Sequence, residues 1–218
     1  MKSEEIQKAD WVVNHSNLPF ILLNKKFPFE EILEEVKNLN FYPYNEGHSK
    51  GWSCVALYGY SDSKTSIYHH SKYNLKNPKT DFTEIAAHCP ITTKYFLNSK
   101  CFKKYNRIRF MKIGPKGYIK KHNDFPTWKD SKNRISESSL TSYHFVLTNP
   151  EKCKFIVEDY GNIPLKPGDV FLFCNAFDHH LRNDSNEDRI HILIHGEIDM
   201  KYWCNYINHY YWNSKKYI

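Results

Sequence analysis

DVFLFCNAFDHHLRNDSNEDRIHILIH, residues 169–195, holds three strand-like runs, DVFLFC (169–174), DHHLRN (178–183) and DRIHILIH (188–195), parted by turn-forming residues. Similar runs lie upstream. RIRFMKI (107–113), a GPKG turn (114–117) and YIKKHND (118–124) come first. SYHFVLT (142–148) stops at Asn149-Pro150, and CKFIVED (153–159) leads to a second turn at KPGD (166–169). Short strands at spacings of roughly 8–15 residues, with turn residues between them, predict an all-β sandwich or a jelly roll over this half of the chain.

Residues i and i+2 of a strand share a face. In DRIHILIH one face carries Ile190, Ile192 and Ile194, and the other carries Arg189, His191, Leu193 and His195. An edge strand would turn those cations to water. A strand inside a roll would instead line an interior with them, and buried cations need partners, which a metal with an anionic ligand could supply. In YIKKHND, His122 and Asp124 stand at i and i+2, so an imidazole and a carboxylate are offered on one side. Alone, the pair reads as a surface pair after a basic strand. His179 and His180 follow 57 and 58 residues later, and Arg189 comes ten residues after His179. The combination is far more specific than any of its parts. Arg189 could alternatively pair with Asp184 or Asp188, and His144 could be an ordinary core histidine.

Before residue 105 the character is mixed. FEEILEEVKNLN (29–40) has helical spacing at Phe29, Ile32, Leu33, Val36 and Leu39, with acidic residues early, where the helix dipole favours them. GWSCVALYGY (51–60) reads as a strand and residues 62–80 as a polar loop. TEIAAHCP (83–90) reads as a short helix with Thr83 near its cap, stopped before Pro90. The tail MKYWCNYINHYYWN (200–213) reads as an aromatic helix that packs back on the sheet.

The 218 residues suit one domain: a helical and mixed support over 1–104, a β core over 105–198 and an aromatic tail over 199–218. Thirty-five aromatics (14 Phe, 5 Trp, 16 Tyr) can fill a sizeable core and exclude wholesale disorder. No apolar run reaches the ~18 residues a spanning helix needs, and the N-terminus lacks a signal-peptide pattern. The net charge of +7 comes mainly from Lys spread along the chain, whereas nucleic-acid readers concentrate charge and favour Arg. The six cysteines show no CxxC spacing, so reduced, buried thiols and a cytoplasmic setting are expected.

The segments 107–124, 143–159 and 165–199, in that order, resemble the aspartyl/asparaginyl β-hydroxylase family of 2-oxoglutarate- and Fe(II)-dependent oxygenases, which is also similar to bacterial proline cis-hydroxylases. Upstream, GWSCVALYG (51–59) and TEIAAHCP (83–90) look like that family's N-terminal elements, so the resemblance covers roughly residues 50–200. It implies a mainly β fold with flanking helices, the cupin-like double-stranded β-helix. It implies Fe(II) held by His122, Asp124 and His179, with His180 facing the other side of its strand. 2-Oxoglutarate would be held through its far carboxylate by Arg189, with His144 near the metal. Where the family usually has Arg two residues before that His, this chain has Ser142.

The implied activity is hydroxylation of an unactivated C–H by O2, on an amino acid or on an Asp, Asn or Pro residue of a peptide or protein. Desaturation or ring formation at the same iron, a non-enzymatic cupin-like binding module, and oxidation of a nucleic-acid base are the alternatives. The polar segment 125–140 is expected at the pocket rim, and residues 60–80 are expected to form a lid.

Overall fold

The computed structural model describes residues 12, 18–44, 47–60, 64–66, 80–124, 141–198 and 200–206. Eleven strands form one curled antiparallel sheet among these residues. They are β1 Phe20–Leu23, β2 Tyr42–Pro43, β3 Ser49–Tyr60, β4 Thr80–Phe82, β5 Phe102–His122, β6 Thr141–Thr148, β7 Cys153–Val157, β8 Gly161–Asn162, β9 Val170–Cys174, β10 His179–Asn183 and β11 Arg189–Ile198. Helices α1 Phe29–Val36, α2 Pro90–Asn98 and α3 Met200–Cys204, with a 3-10 turn at Glu84–His88, flank the sheet.

The strand order is β1-β9-β6-β11-β5-β10-β7-β8, with β3 added to β5, and β2 and β4 added to β3. β5 belongs to both walls of the roll. Its first part pairs with β11 as far as Ile113, and its last part pairs with β10 from Tyr118. The corner between them is GPKG, which is therefore not a hairpin turn as its composition suggests. Four residues there face a single residue of β3, Gly51, because Ile113 pairs with Trp52 and Tyr118 with Lys50. Gly51 has φ 69° and Lys116 φ 57°, the left-handed conformations that bend a bulged strand. A Cβ on Gly117 would meet the carbonyl oxygens of Gly114 and Lys50 at 2.8 Å, so the two strands approach too closely there for any side chain. Across the roll, Phe155 of β7 faces Phe173 of β9, with ring centroids 5.1 Å apart.

The two faces of β11 separate as alternation predicts. Ile190, Ile192 and Ile194 join Ile32 and Val36 of α1, Phe96 of α2 and Trp203 of α3 in one buried cluster outside the wall. Inside the roll, a second cluster gathers Ile113, Val146, Phe155, Val157, Phe171, Phe173 and Leu181.

Thr83 caps its 3-10 turn by accepting from the Ile85 amide, as expected. The 3-10 turn ends at His88, before Pro90, as expected, but Pro90 has a second part. It starts α2 as its first residue, where a missing N–H costs nothing. Only Met200–Cys204 of the tail is helical among the described residues, and Trp203 and Tyr206 pack on the core as expected. Ile207, Tyr210, the rim segment 125–140 and most of the expected lid lie outside the described residues. No helix among the described residues is long and apolar enough to cross a membrane.

Candidate active site

His122 ends β5 and His179 begins β10, and the two are cross-strand partners. Their ring centroids lie 4.3 Å apart. Asp124 follows two residues beyond the strand, and its backbone N–H donates to the Asn175 carbonyl at 3.2 Å, tying it to the β9–β10 connection. One possible ligand atom from each of His122, Asp124 and His179 lies within 4.8 Å of the others. His180 is outside this cluster and pairs with Ile156 on the far edge of its strand.

Each ring is oriented by its own backbone. His122 Nδ1 is 2.8 Å from the Lys120 carbonyl, and His179 Nδ1 is 2.8 Å from the Phe177 carbonyl. A carbonyl only accepts, so both Nδ1 atoms carry the proton and both Nε2 lone pairs are left for a ligand. His122 Nε2 stands 3.5 Å from Asp124 Oδ1. The carboxylate raises the pKa of His122 against the effect of burial. Burial pushes the Asp124 carboxyl up, but His122 and then His179 outweigh it and hold it below the usual range. Burial, then the proximity of His122, lowers the pKa of His179. At neutral pH the cluster offers a carboxylate beside imidazoles, the donor set of a facial iron site with open positions.

Arg189 opens β11, opposite Ile113, and is 5% exposed. Its Nη2 donates to His191 Nδ1 at 2.9 Å, and its guanidinium lies 5.9 Å from the Phe155 ring centroid. Its Nε has no hydrogen-bond partner. The two carboxylates that could have neutralised it are engaged elsewhere: Asp184 with Arg182 at 2.7 Å and Asp188 with Lys112 at 3.5 Å. Burial therefore lowers the pKa of Arg189, and an incoming anion would relieve that cost.

His144 stacks on Phe171, with centroids 4.4 Å apart and planes at 12°. The Ser142 hydroxyl donates to Asn175 Oδ1 at 2.9 Å, so it accepts from His144 Nε2 at 2.8 Å. His144 Nδ1 is left buried and without a partner. Burial, then Arg189 and His179, hold His144 neutral, well below the ordinary histidine range. Ser142, the departure from the family pattern, thus fixes this ring.

The His-Asp-His cluster, Arg189, His191, Ser142 and His144 line one cavity of about 340 Å3. Sequence reasoning missed Tyr44, Trp52, Arg107, Arg109 and Asn175, which line it too. The alternation in RIRF, read against DRIHILIH as its neighbour, would have exposed both arginines. Arg107 pairs with His195, Arg109 with Leu193 and Met111 with His191. Among the described lining residues there are three guanidiniums, Arg107, Arg109 and Arg189, and a single carboxylate, Asp124.

The model of a family described as "Aspartyl/Asparaginyl beta-hydroxylase" matches residues 28–197. None of the curated proteins matches the sequence. Among solved structures, the chain is similar to HygX from Streptomyces hygroscopicus, solved with nickel and 2-oxoglutarate bound, at 10% identity and a TM-score of 0.50, covering 88% of this chain and 84% of that one. An oxidoreductase of the 2OG-Fe(II) oxygenase family from Burkholderia pseudomallei is similar at 11% identity and a TM-score of 0.48, covering 89% of each chain. At 10% identity the likeness to HygX is one of fold alone, a jelly roll.

Proposed function

The chain belongs to the aspartyl/asparaginyl β-hydroxylase family, and from that premise we propose that it hydroxylates an amino acid, or an Asp, Asn or Pro residue of a peptide, using Fe(II) and 2-oxoglutarate held in this cavity. His122, Asp124 and His179 hold the ferrous ion. Arg189 receives the far carboxylate of 2-oxoglutarate, and His144 stands beside the co-substrate. Bound together, the metal and 2-oxoglutarate supply the oxidising power to insert one atom of O2 into a C–H bond, with succinate and CO2 as co-products.

The protein's part is to position, to keep charge states fixed and to exclude water. The Lys120 and Phe177 carbonyls hold both imidazoles in the tautomer that leaves Nε2 free. Asp124 stays ionised through its histidine neighbours. His122, Asp124 and His179 would hold the ion from one side and leave its other side open to the cavity. The guanidinium fork of Arg189 offers parallel, charge-assisted bonds to a carboxylate, a geometry Lys does not reproduce. Phe155, Phe173, Leu181 and Ile119 make the wall between these groups apolar.

The observation that carries this reading is a His-Asp-His cluster sharing one cavity with a buried guanidinium that has an orphaned Nε. The test is succinate release with Fe(II), 2-oxoglutarate and a panel of amino acids and peptides. Asp124→Ala should abolish succinate release. Full release by that variant would sink the metal assignment.

A further inference from the structure

We propose that the outer face of β3, β5, β10 and β7 docks an acidic stretch of a polypeptide, so that the residue hydroxylated lies in a peptide or protein with Asp or Glu nearby and is not a free amino acid. The proposal rests on the hydroxylase reading above. Lysines that are scattered along the chain are gathered here by strand register. Lys50 of β3 pairs with Tyr118 of β5, Tyr118 with Arg182 of β10, and Arg182 with Lys154 of β7. One row across four strands thus reads Lys-Tyr-Arg-Lys, and all four residues are exposed. Their chain neighbours Ile119, Leu181 and Phe155 point the other way and line the cavity. On one side of the row Lys120 is exposed, its backbone N–H donating to the His48 carbonyl at 2.9 Å. On the other, Lys116 is exposed and its Nζ donates to the Asp184 carbonyl at 2.7 Å.

Like charges set directly opposite each other on a sheet repel, as Arg182 and Lys154 are set here. The nearby carboxylates are already engaged: Asp184 with Arg182 at 2.7 Å and Glu158 with Lys121 at 3.5 Å. Lys50, Lys116, Lys120 and Lys154 have no carboxylate of the described residues within ion-pair distance. An extended acidic peptide complements such a face, because its alternate side chains recur at ~6.8 Å, the same interval as the alternate residues of the strands beneath. A nucleic acid is less well served. Tyr118 is the one exposed ring of the row, where single-stranded binders use several stacking rings, and the row's one Arg is tied to Asp184.

The face leads to the catalytic cavity. His179 is opposite His122 but Leu181 is opposite Ile119, so between these pairs β5 has one residue more than β10. This bulge lets Ile119 and His122 both line the cavity although they are three residues apart. It leaves Lys120 and Lys121 exposed immediately before His122. Lys116 stands six residues before His122, roughly 20 Å at ~3.4 Å per residue. A chain with one residue in the cavity therefore reaches this face with residues about three to eight positions away, allowing for the rim.

The test uses the full chain loaded with nickel and 2-oxoglutarate, so that binding is read without turnover, by fluorescence anisotropy. The probes are labelled peptides with a run of Glu beside an Asp, Asn or Pro, the same peptides with Gln for Glu, and an oligo-dT of matching length. The Glu peptides should bind at least about ten-fold more tightly than the Gln peptides at low salt, and added salt should erase the difference. Lys50→Glu/Lys120→Glu/Lys154→Glu should abolish that preference. Lys94→Glu/Lys100→Glu/Lys166→Glu, exposed lysines elsewhere with the same change of net charge, should keep it within about two-fold. With Fe(II), the first triple variant should raise the KM of the Glu peptides at least about ten-fold and leave kcat unchanged. If that variant does not fold, Lys50→Gln/Lys120→Gln/Lys154→Gln removes the charges without adding acids and should also abolish the preference.

Equal binding of Glu and Gln peptides, equal losses in the two Glu triple variants, or a preference that survives removal of the three face lysines overturns the docking surface and leaves the oxygenase reading intact. Face-dependent binding of oligo-dT above the Glu peptides, or succinate release driven by free amino acids alone, does the same. No succinate release with any amino acid or peptide, while the face-dependent preference holds, overturns the oxygenase reading and leaves the acidic docking face standing.

Discussion

In the role proposed for Arg189, a planar guanidinium offers what none of the chain's many lysines could. Arg189→Lys keeps the charge but loses the fork, so about 1.5–3 kcal/mol of charge-assisted bonding should go, which is a ~10- to 150-fold rise in the Kd for 2-oxoglutarate. Fluorescence titration of nickel-loaded protein would measure it, with metal affinity as the unchanged control. The neighbouring His191 is 1% exposed, and burial, then Arg189 and His144, hold its pKa well below the ordinary histidine value of 6.5. Above pH 6.5 both folded and unfolded chains carry it neutral. As pH falls below 6.5 the unfolded chain takes up a proton that the folded chain refuses, so stability drops by up to about 1.4 kcal/mol per pH unit for this ring. Urea midpoints between pH 5 and 7.5 should show that acid slope, and His191→Gln should lessen it, since burial lowers His144 and His195 in the same way. At this scale the sequence was most readable where chemistry and periodicity coincide, as in His122, Asp124 and Arg189. Arg107 and Arg109 escaped because two arginines on a strand carry no signature until the strand beside them is known.

Elements are joined here by groups that do not belong to them. The Glu35 carboxylate of α1 accepts from the backbone N–H groups of Ile91 and Thr92 at 2.6 and 3.0 Å, and from the Thr92 hydroxyl at 2.7 Å. It caps α2, whose own N-cap residue, Cys89, supplies no side-chain bond. Glu35→Ala therefore removes a helix cap and an inter-helix tie at once, and should cost about 1–3 kcal/mol in a urea titration. Helix α1 was legible from its apolar spacing. Helix α2 was not, because Pro90 both follows the end of the 3-10 turn and opens the next helix, and only its role as a stop was read. GPKG misled for a similar reason. Its residues fit a tight turn, yet the strand runs through them, because β11 on one side and β10 on the other supply partners before and after the bend.

Over the whole molecule, the fold keeps its reactive sulfur inside. Cys54, Cys89, Cys101, Cys153 and Cys174 are buried, and Cys204 is exposed. Burial pushes the Cys54 thiol up to about 11 and Cys89 to about 12, so neither supplies thiolate at neutral pH. A colorimetric thiol titration should find one fast cysteine in native protein and six in denaturant, and rapid reaction of several would mean that the roll opens readily. The overall architecture was legible from strand spacing, but the way the early chain joins it was not. FILL, four buried residues without alternation, gives no period by which to recognise β1. Trp203 is fully buried, against Phe102 and Tyr143, and its indole N–H donates to the Cys101 carbonyl at 3.0 Å, 102 residues upstream. Lys25 is held still farther back in the chain, its ammonium donating to the Tyr202 hydroxyl at 2.8 Å. A nascent chain that has not yet released residues 202 and 203 from the ribosome therefore lacks the indole that fills this slot and the hydroxyl that accepts from Lys25. This part of the wall is complete only once those two residues are free to dock.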